Sequence, residues 1–244
     1  MEDYKAKIYE HYLTNRLVGN VPSDLSSLAS RKPFYLDVID NHFPSKKSIR
    51  VVDLGCGYGA FLHFMQQRGY VYVEGIDTSA EMVKAAGKLG INGVSHGNVF
   101  KFLEEQPDES IDLLTAIDLI EHFTKKELFY LVAQMYRVLK KGGRIITHQP
   151  NAEGVFGNAI LYGDFTHEQA FTRGSMAQIF LSNGFVSLNS FEDKPLLHSF
   201  KSRFRRILWN GLVRPFYRFL VAVESGGSES ESIMTQNFLT IIVK

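Results

Sequence analysis

Along the middle of the chain, two kinds of segment alternate, and they differ in how their apolar and polar positions are spaced. Short apolar runs, typical of buried strands, are separated by longer segments in which apolar residues recur at helical spacing. The segment 127–139 is the clearest helix, because Leu128, Leu131 and Met135 fall on one face. The predicted strands are 49–54, 71–76, 93–97, 111–117 and 143–149. The predicted helices between them are 58–68, 79–89, 99–105 and 125–139.

This alternation predicts an α/β domain with a parallel sheet and helices on both faces. Helices at 4–16 and 26–43 are expected to form a cap whose aromatic residues cover the site. A polar and aromatic stretch, 148–172, follows the fifth strand. The chain is therefore predicted to be one domain. Its parts are a helical cap (1–47), a core (48–192), a helical insertion (194–234) and a last strand (235–244).

A glycine-rich loop follows the first predicted strand. Glycines at 55, 57 and 59 allow a sharp turn and let a ligand lie against the backbone. Backbone N–H groups at the start of the next helix can hold an anionic group. Asp53 ends the first strand, and Asp77 ends the second, where it can accept hydrogen bonds from both ribose hydroxyls. The pattern predicts a site for a nucleoside-bearing cofactor.

Other kinds of glycine-rich loop agree less well with this pattern. The relaxed dinucleotide pattern G-x-G-x-x-G/A also fits 55–60. However, the extra glycine at 59 changes the spacing, and Asp53 suits a cationic amino or sulfonium group better than a pyrophosphate. A phosphate-binding P-loop is excluded, because no Gly-Lys-Ser/Thr follows. If the glycine turn bound no ligand, the positions of Asp53 and Asp77 at the ends of two successive strands would be a coincidence. The loop therefore favours S-adenosylmethionine.

Residues 51–62 resemble motif I of class I S-adenosylmethionine-dependent methyltransferases. Segments 75–82, 97–99, 111–122 and 139–146 resemble the later motifs of that family, in the same order. The resemblance implies a Rossmann-like, mostly parallel seven-stranded sheet whose last strand is antiparallel, with S-adenosylmethionine as cofactor. The implied cofactor-binding residues are Asp53, Gly55, Cys56, Gly57, Gly59, Asp77, Thr78, Asn98, Val99 and Asp118. Asn98 departs from the acid that the family usually has beside adenine.

Composition excludes several classes of protein. The chain has 244 residues, 45% of them hydrophobic, enough for one well-cored domain. A net charge of +1 gives no field to attract nucleic acid. The single cysteine, Cys56, excludes an intrachain disulfide and is expected to pack within the loop. No long apolar run or apolar leader is present, so a cytoplasmic protein is expected.

Candidate catalytic residues are His122, His148, Asp164 and His167, which follow the fourth and fifth strands. Methyl transfer from a sulfonium needs alignment, and a hydroxyl acceptor also needs a general base. The alternative roles are loop ordering for His122, burial for His148, and a helix cap for the 164–172 loop. No metal site is expected, because tight ligand spacing such as H-x-x-x-H does not occur.

The insertion carries a basic and apolar segment, 199–223, without an acidic residue. Its apolar residues recur at helical spacing, and Pro215 is expected to divide it into two helices. Such a segment can lie peripherally on an anionic membrane, at the inner face. It can also cover the acceptor cleft, form a homodimer face or dock on the domain. These alternatives remain open at the level of the sequence.

The stretch after the fifth strand resembles that of methyltransferases associated with surface polysaccharide and other sugar biosynthesis. This resemblance implies O-methylation of a sugar or glycan, with a small molecule or a glycan as the acceptor and no nucleic acid. The first alternative is a methyltransferase for a lipid, quinone or other small metabolite. The second is a catalytically silent, methyltransferase-like binding module.

Overall fold

A seven-stranded sheet forms the centre of the computed structural model, which describes residues 4–14, 22–193, 200–225 and 233–244. The strand order is β3-β2-β1-β4-β5-β7-β6. The strands are β1 (Arg50–Leu54), β2 (Tyr72–Asp77), β3 (Val94–His96), β4 (Ile111–Ile117), β5 (Leu139–Pro150), β6 (Ser187–Glu192) and β7 (Asn237–Val243).

The first five strands are parallel, and β7 is antiparallel between β5 and β6. Parallel neighbours require crossover connections, which the helices supply. The predicted Rossmann-like sheet, with its antiparallel last strand, is therefore confirmed. Because the parallel strands share one direction, the loops after β1, β2, β4 and β5 meet at one edge, where ligands bind in such folds.

Helices pack on both faces of the sheet and create two buried apolar clusters. One cluster combines α5, α6 and α8 with the sheet, and the other combines α2 and α3 with the opposite face. The helices are α1 (Tyr4–Glu10), α2 (Lys32–His42), α3 (Ala60–Gln67), α4 (Ala80–Lys88), α5 (Val99–Glu105), α6 (Lys125–Val138), α7 (Gly157–Leu161), α8 (Arg173–Ser182), α9 (Phe200–Leu208) and α10 (Arg214–Ser225).

The N-terminal cap differs from the prediction in its boundaries. The helix predicted over 26–43 is a 3₁₀ turn at Leu25–Ser30 followed by α2, which has a proline in its first turn. A proline fits there because the first N–H groups of a helix have no partner within it. The helix predicted over 4–16 ends at Glu10, and residues 15 and 16 lie outside the described residues. The short α7 lies within the stretch 148–172, for which no helix was predicted.

The insertion forms one helical rod with a π-helical turn at Trp209–Val213 between α9 and α10. The prediction that Pro215 divides it was wrong in detail, because the proline lies in the first turn of α10 and the helix passes through it. Residues 194–199 and 226–232 of the predicted insertion lie outside the described residues. Within the described part of the chain, no helix has the length and hydropathy to cross a membrane.

Candidate active site

Asp53 lies at the carboxyl end of β1, with only 3% of its surface exposed. Its register partner on β4 is Thr115, whose hydroxyl donates a hydrogen bond to Asp53 Oδ1. Burial disfavours the charged carboxylate and the nearby charge of Asp77 adds to this effect, so the pKa of Asp53 is raised to about 7 despite the Thr115 bond. A cationic ligand group beside Asp53 would favour its ionised form.

The glycine loop after β1 adopts a conformation that favours glycine. Gly55, Gly57 and Gly59 all have positive φ angles, from 56° to 77°. A Cβ atom on Gly55 would lie 2.6 Å from Leu119 Cδ1, so this glycine lets the end of β4 approach the loop. Cys56 is buried, and burial raises the pKa of its thiol, as expected for a packing residue.

Asp77 joins the ends of β1 and β2. Its Oδ2 accepts a hydrogen bond from the N–H of Gly57 at 2.7 Å, and its Oδ1 accepts one from the N–H of Ser79 at 2.8 Å. Burial raises the pKa of Asp77 above its ordinary value, although these two bonds act in the opposite direction. A carboxylate has about four acceptor positions, so two remain for ribose hydroxyls.

The residues proposed to hold adenine lie beside Asp77. Asn98 caps α5, because its Oδ1 accepts hydrogen bonds from the N–H groups of Phe100 and Lys101 at 2.9 and 3.3 Å. Val99 is buried at the start of α5. The carbonyl oxygen of Thr78 lies 3.1 Å from His96 Nε2. The structure thus collects these predicted residues at the ends of β2 and β3.

Asp118 and His148 form an ion pair at the ends of β4 and β5. Asp118 Oδ1 accepts a hydrogen bond from His148 Nδ1, and its Oδ2 accepts two from the guanidinium of Arg31 at 3.0 Å. Burial alone would lower the pKa of His148, but Asp118 and Asp193 raise it to about 10. His148 is therefore an imidazolium at neutral pH, which disfavours a role as general base. The carboxylate of Asp118 is engaged within the protein rather than open to the cofactor.

Two further histidines lie together, the buried His122 after β4 and the partly buried His167 in the loop after β5. The rings of His122 and His167 are 4.7 Å apart, and His167 Nε2 is 4.0 Å from Oε1 of the buried Glu121. Burial, followed by the charge of His167, lowers the pKa of His122 to about 4, so His122 is neutral at pH 7. Burial and the charge of Asp118 raise the pKa of Glu121 well above its ordinary value.

The loop after β5 fixes the orientation of these rings. Thr166 donates its hydroxyl to Asp164 Oδ1 at 2.6 Å, and His122 Nδ1 lies 2.8 Å from the Thr166 oxygen. His167 Nδ1 lies 3.0 Å from the carbonyl oxygen of Ile160. Although burial acts to raise it, the pKa of Asp164 is lowered to about 2, because Thr166 and Tyr12 donate to its carboxylate. Asp164 is therefore suited to positioning the loop rather than to accepting a proton.

The N-terminal segment crosses the site from the loop after β5 to α4. The hydroxyl of Tyr12 donates to Asp164 Oδ2 at 2.7 Å, and the hydroxyl of Thr14 donates to Glu81 Oε1 at 2.7 Å. Ahead of these anchors in the chain, the Tyr9 ring lies 6.2 Å from that of His122. Burial and the charges of several carboxylates, Asp77 among them, raise the pKa of Tyr9. The segment thus lies against the histidine cluster and reaches α4.

A cavity of about 430 Å³ lies between α2, β6 and the insertion. Its lining combines aromatic and charged residues, including Phe34, Asp193, Arg206 and Arg214. Asp193 Oδ2 lies 3.5 Å from His148 Nε2, and the Phe34 ring is 4.9 Å from the His148 ring. The cavity therefore lies beside the carboxyl end of β5, separated from His148 by Phe34 and Asp193.

A family model described as a methyltransferase domain matches residues 28–189. The chain belongs to this family. S-adenosylmethionine is its cofactor, and the loop after β1 together with Asp77 is the site where the sequence predicts that it binds. The crystal structure of a SAM-dependent methyltransferase from Archaeoglobus fulgidus shows the same fold, with a TM-score of 0.64 at 20% identity over 99% of this chain and 100% of that chain.

Curated relatives of this methyltransferase differ in the atom that they methylate. Ajmaline N-methyltransferase of Rauvolfia serpentina is 33% identical over 42% of this chain and 36% of its own length. A ubiquinone biosynthesis O-methyltransferase of Neisseria meningitidis is 30% identical over 41% of this chain and 43% of its own length. The matched segments cover less than half of the length of these relatives. The family and the cofactor are therefore established, whereas the acceptor is not identified by these matches.

Sequence reasoning missed several residues that shape the site. Arg31 binds Asp118 from the start of α2, and Thr115 binds Asp53 from a neighbouring strand. Glu81 holds the N-terminal segment through Thr14. Strand alternation could have indicated Thr115, because it is a polar residue within the apolar run of β4. No local pattern distinguishes Arg31 or Glu81 from other charged residues on helices.

We expect Asp53→Asn to stabilise the cofactor-free protein in a pH-dependent way. Between about pH 4 and 7, folded Asp53 keeps a proton that the unfolded chain has lost, so the wild-type free energy of unfolding falls as the pH rises. The asparagine side chain of the variant does not titrate and can still accept from Thr115. The stability gained should grow from near zero at pH 4 to on the order of a few kcal/mol at pH 8. Urea denaturation at both pH values measures it, and an equal gain at both would contradict the assignment.

We expect Asp77→Asn to weaken binding of S-adenosylhomocysteine by about 10- to 100-fold, through loss of charged hydrogen bonds worth about 1–3 kcal/mol. Titration calorimetry measures the affinity. Asp40→Asn is the matched control, because Asp40 pairs with Arg68 on the surface, away from the loop. Unchanged affinity in Asp77→Asn, or NADH binding with none for S-adenosylhomocysteine, would overturn the assignment of the pocket.

Proposed function

We propose that this chain transfers the methyl group of S-adenosylmethionine to an oxygen atom of a lipid-borne acceptor at the surface of an anionic membrane. A lipid-linked sugar or glycan is the acceptor class that we favour, and the inner membrane face is the expected location. The exposed apolar and basic side of α9 and α10 is the observation that carries the membrane part of the proposal.

The transfer is an in-line displacement at the methyl carbon. The acceptor oxygen attacks that carbon as the carbon–sulfur bond breaks, and the electron pair stays on sulfur to give S-adenosylhomocysteine. The sulfonium charge already makes the methyl group reactive, so the protein mainly supplies alignment. Asp53 and Asp77 would hold the two ends of the cofactor, and Tyr9 of the N-terminal segment would help to exclude water from the site.

A hydroxyl acceptor must also lose its proton. His122 and His167 are the groups best placed to take it, because each ring uses Nδ1 in a hydrogen bond with the loop after β5. This arrangement leaves Nε2 of each ring for the acceptor. His148 is protonated and Asp164 is a weakly basic carboxylate, so neither suits the role.

The insertion presents an apolar stripe to solvent rather than to the domain. Nine of its large apolar residues are between 40% and 86% exposed and recur at helical spacing along both helices. They are Phe200, Phe204, Ile207, Leu208, Leu212, Phe216, Phe219, Leu220 and Val223. Docking of this stripe on the domain, one of the expected alternatives, is therefore not what the structure shows.

Basic residues accompany this stripe. Lys201, Arg203 and Arg205 are exposed on α9, and Arg218 lies on α10. No acidic residue occurs between 200 and 223. An apolar stripe with cationic flanks matches the headgroup region of an anionic bilayer, where the apolar side chains leave water and the cations meet phosphate. A second copy of the chain would bring these cations together, which makes a homodimer face less favourable.

The cavity beside the insertion supports a membrane-borne acceptor. Arg206 of α9 and Arg214 of α10 line this cavity, so it lies directly beside the helices proposed to contact the membrane. An acceptor anchored in the bilayer could therefore reach the end of β5 while the helices remain on the membrane surface. The aromatic Phe34 and Phe191 in its lining can stack on a sugar ring. They can equally stack on a quinone, which the ubiquinone biosynthesis relative favours as the second candidate.

We expect the protein to float with anionic vesicles at low salt and less so at physiological salt, because salt screens the surface attraction. It should transfer labelled methyl groups from S-adenosylmethionine to lipid-linked sugars in those vesicles faster than to soluble sugar nucleotides. Phe216→Ser should reduce both flotation and transfer. Phe129→Ser is the matched control, because Phe129 is 52% exposed on α6 and Phe216 is 55% exposed on α10.

Other outcomes assign different functions. Transfer only to a quinone would replace the sugar by the second candidate. Failure to float at either salt, together with a dimer by analytical ultracentrifugation that Phe216→Ser dissociates, would make the stripe a subunit interface. Binding of S-adenosylhomocysteine without transfer to sugars, quinones, lipids or catechols would favour the silent binding module.

A further inference from the structure

The buried cluster of Glu121, His122 and His167 has the composition of a metal site. Each residue offers one ligand-capable atom, and these atoms lie within 4.8 Å of one another. Ligand atoms about 2.1 Å from a tetrahedral ion are about 3.4 Å apart, so small side-chain rotations would bring the three to an ion. Only one pair of the three, Glu121 and His122, is adjacent in sequence, so spacing alone does not reveal the cluster.

Glu121 supplies a second, independent observation. The residue is only 1% exposed, and its Oε2 has no hydrogen-bond partner among the residues that the structure describes. A buried carboxylate oxygen without a partner is costly, whereas binding to a cation would satisfy it. Oε1 of the same carboxylate is the oxygen that lies 4.0 Å from His167 Nε2, so the group lies beside the histidines.

The hydrogen bonds around the histidines are those of metal ligands. A metal-binding histidine usually donates its second ring N–H to a carbonyl, a carboxylate or another acceptor, which fixes the tautomer and orients the ring. His167 Nδ1 meets the carbonyl oxygen of Ile160 in this way. His122 Nδ1 meets the hydroxyl oxygen of Thr166, which gives its own proton to Asp164. Both rings therefore keep the Nε2 lone pair for a ligand.

We propose that Glu121, His122 and His167 bind a divalent transition-metal ion beside the cofactor pocket. Two imidazoles and one carboxylate favour Zn²⁺ or Mn²⁺ over Mg²⁺ and Ca²⁺, which prefer oxygen ligands alone. Three protein ligands leave at least one position open, as in catalytic sites. The sequence-based expectation that no metal is bound is thereby replaced by a proposed site.

The site has a defined place relative to the cofactor. Leu119, two residues before Glu121, packs against Gly55 of the glycine loop, and the Tyr9 ring lies beside His122. The open position would hold the acceptor oxygen and lower the pKa of its proton, which would then pass to solvent water. The two histidines would be ligands in the metal-bound protein, and their role as base applies to the metal-free protein. This catalytic role rests on the proposed methyl transfer, whereas metal binding does not.

The test is metal binding by the full chain after treatment with a chelator. Calorimetry with ZnCl₂ or MnCl₂ should show one ion per chain in the wild type, with affinity more than about 10-fold weaker in Glu121→Gln and His167→Asn. Co²⁺ should give a visible ligand-field absorption that both variants lose. His63→Asn is the matched control, because His63 lies on α3 and contacts Gln67. The control should bind as the wild type does.

Calorimetry with S-adenosylhomocysteine on the same samples separates this proposal from the proposed function. If the variants still bind S-adenosylhomocysteine, they are folded. If the wild-type protein does not bind it, the proposed function is contradicted, whereas the proposal of a metal site is unaffected. If wild-type protein binds no Zn²⁺ or Mn²⁺ saturably, or if Glu121→Gln and His167→Asn bind them as tightly as the wild type, the metal proposal is overturned. Should Glu121→Gln not fold, His167→Asn decides the test.

Discussion

The carboxylate of Asp77 joins the two loops to which we assign the cofactor. By accepting from Gly57 on one loop and Ser79 on the other, it fixes the glycine loop against the end of β2. Parallel strands place both loops at the same edge, and this bridge adds to the hydrogen bonds that the N–H groups of Gly55 and Cys56 donate to the carbonyl oxygen of Ile76. The unused acceptor positions are available to a ligand whose hydroxyls can complete the shell. One side chain thus organises the pocket and is suited to recognise the nucleoside.

The acceptor side depends on a different kind of constraint. At the end of β4, Asp118 pairs with His148 from β5 and with Arg31 from the cap, so three elements are held by one carboxylate. Its neighbour in the chain, Glu121, instead contributes a buried carboxylate to the histidine cluster. The first acid is compensated within the protein, whereas Oε2 of the second has no hydrogen-bond partner among the described residues. That contrast separates a positioning residue from a group available to a ligand.

Much of this architecture is encoded locally. The strands β1 to β5 and the helix α6 follow from period and apolar runs, and the positions of Asp53 and Asp77 at strand ends indicate the pocket. Tertiary partners are not encoded this way. The protonated state of His148 depends on Asp118 and Asp193, which lie far away in sequence, so its position in the chain suggested a base that the structure disfavours. The cluster around Glu121 likewise needs the loop after β5 to bring His167 beside it.

We propose that one site joins the loops around Asp77 to the cluster of Glu121, His122 and His167. A crystal structure of the complex with S-adenosylhomocysteine would show whether the two lie together. We predict that the ribose hydroxyls contact the Asp77 carboxylate and that the sulfur atom faces the Nε2 atoms of His122 and His167 beneath Tyr9. A cofactor bound elsewhere, or one whose sulfur points away from that cluster, would contradict the account.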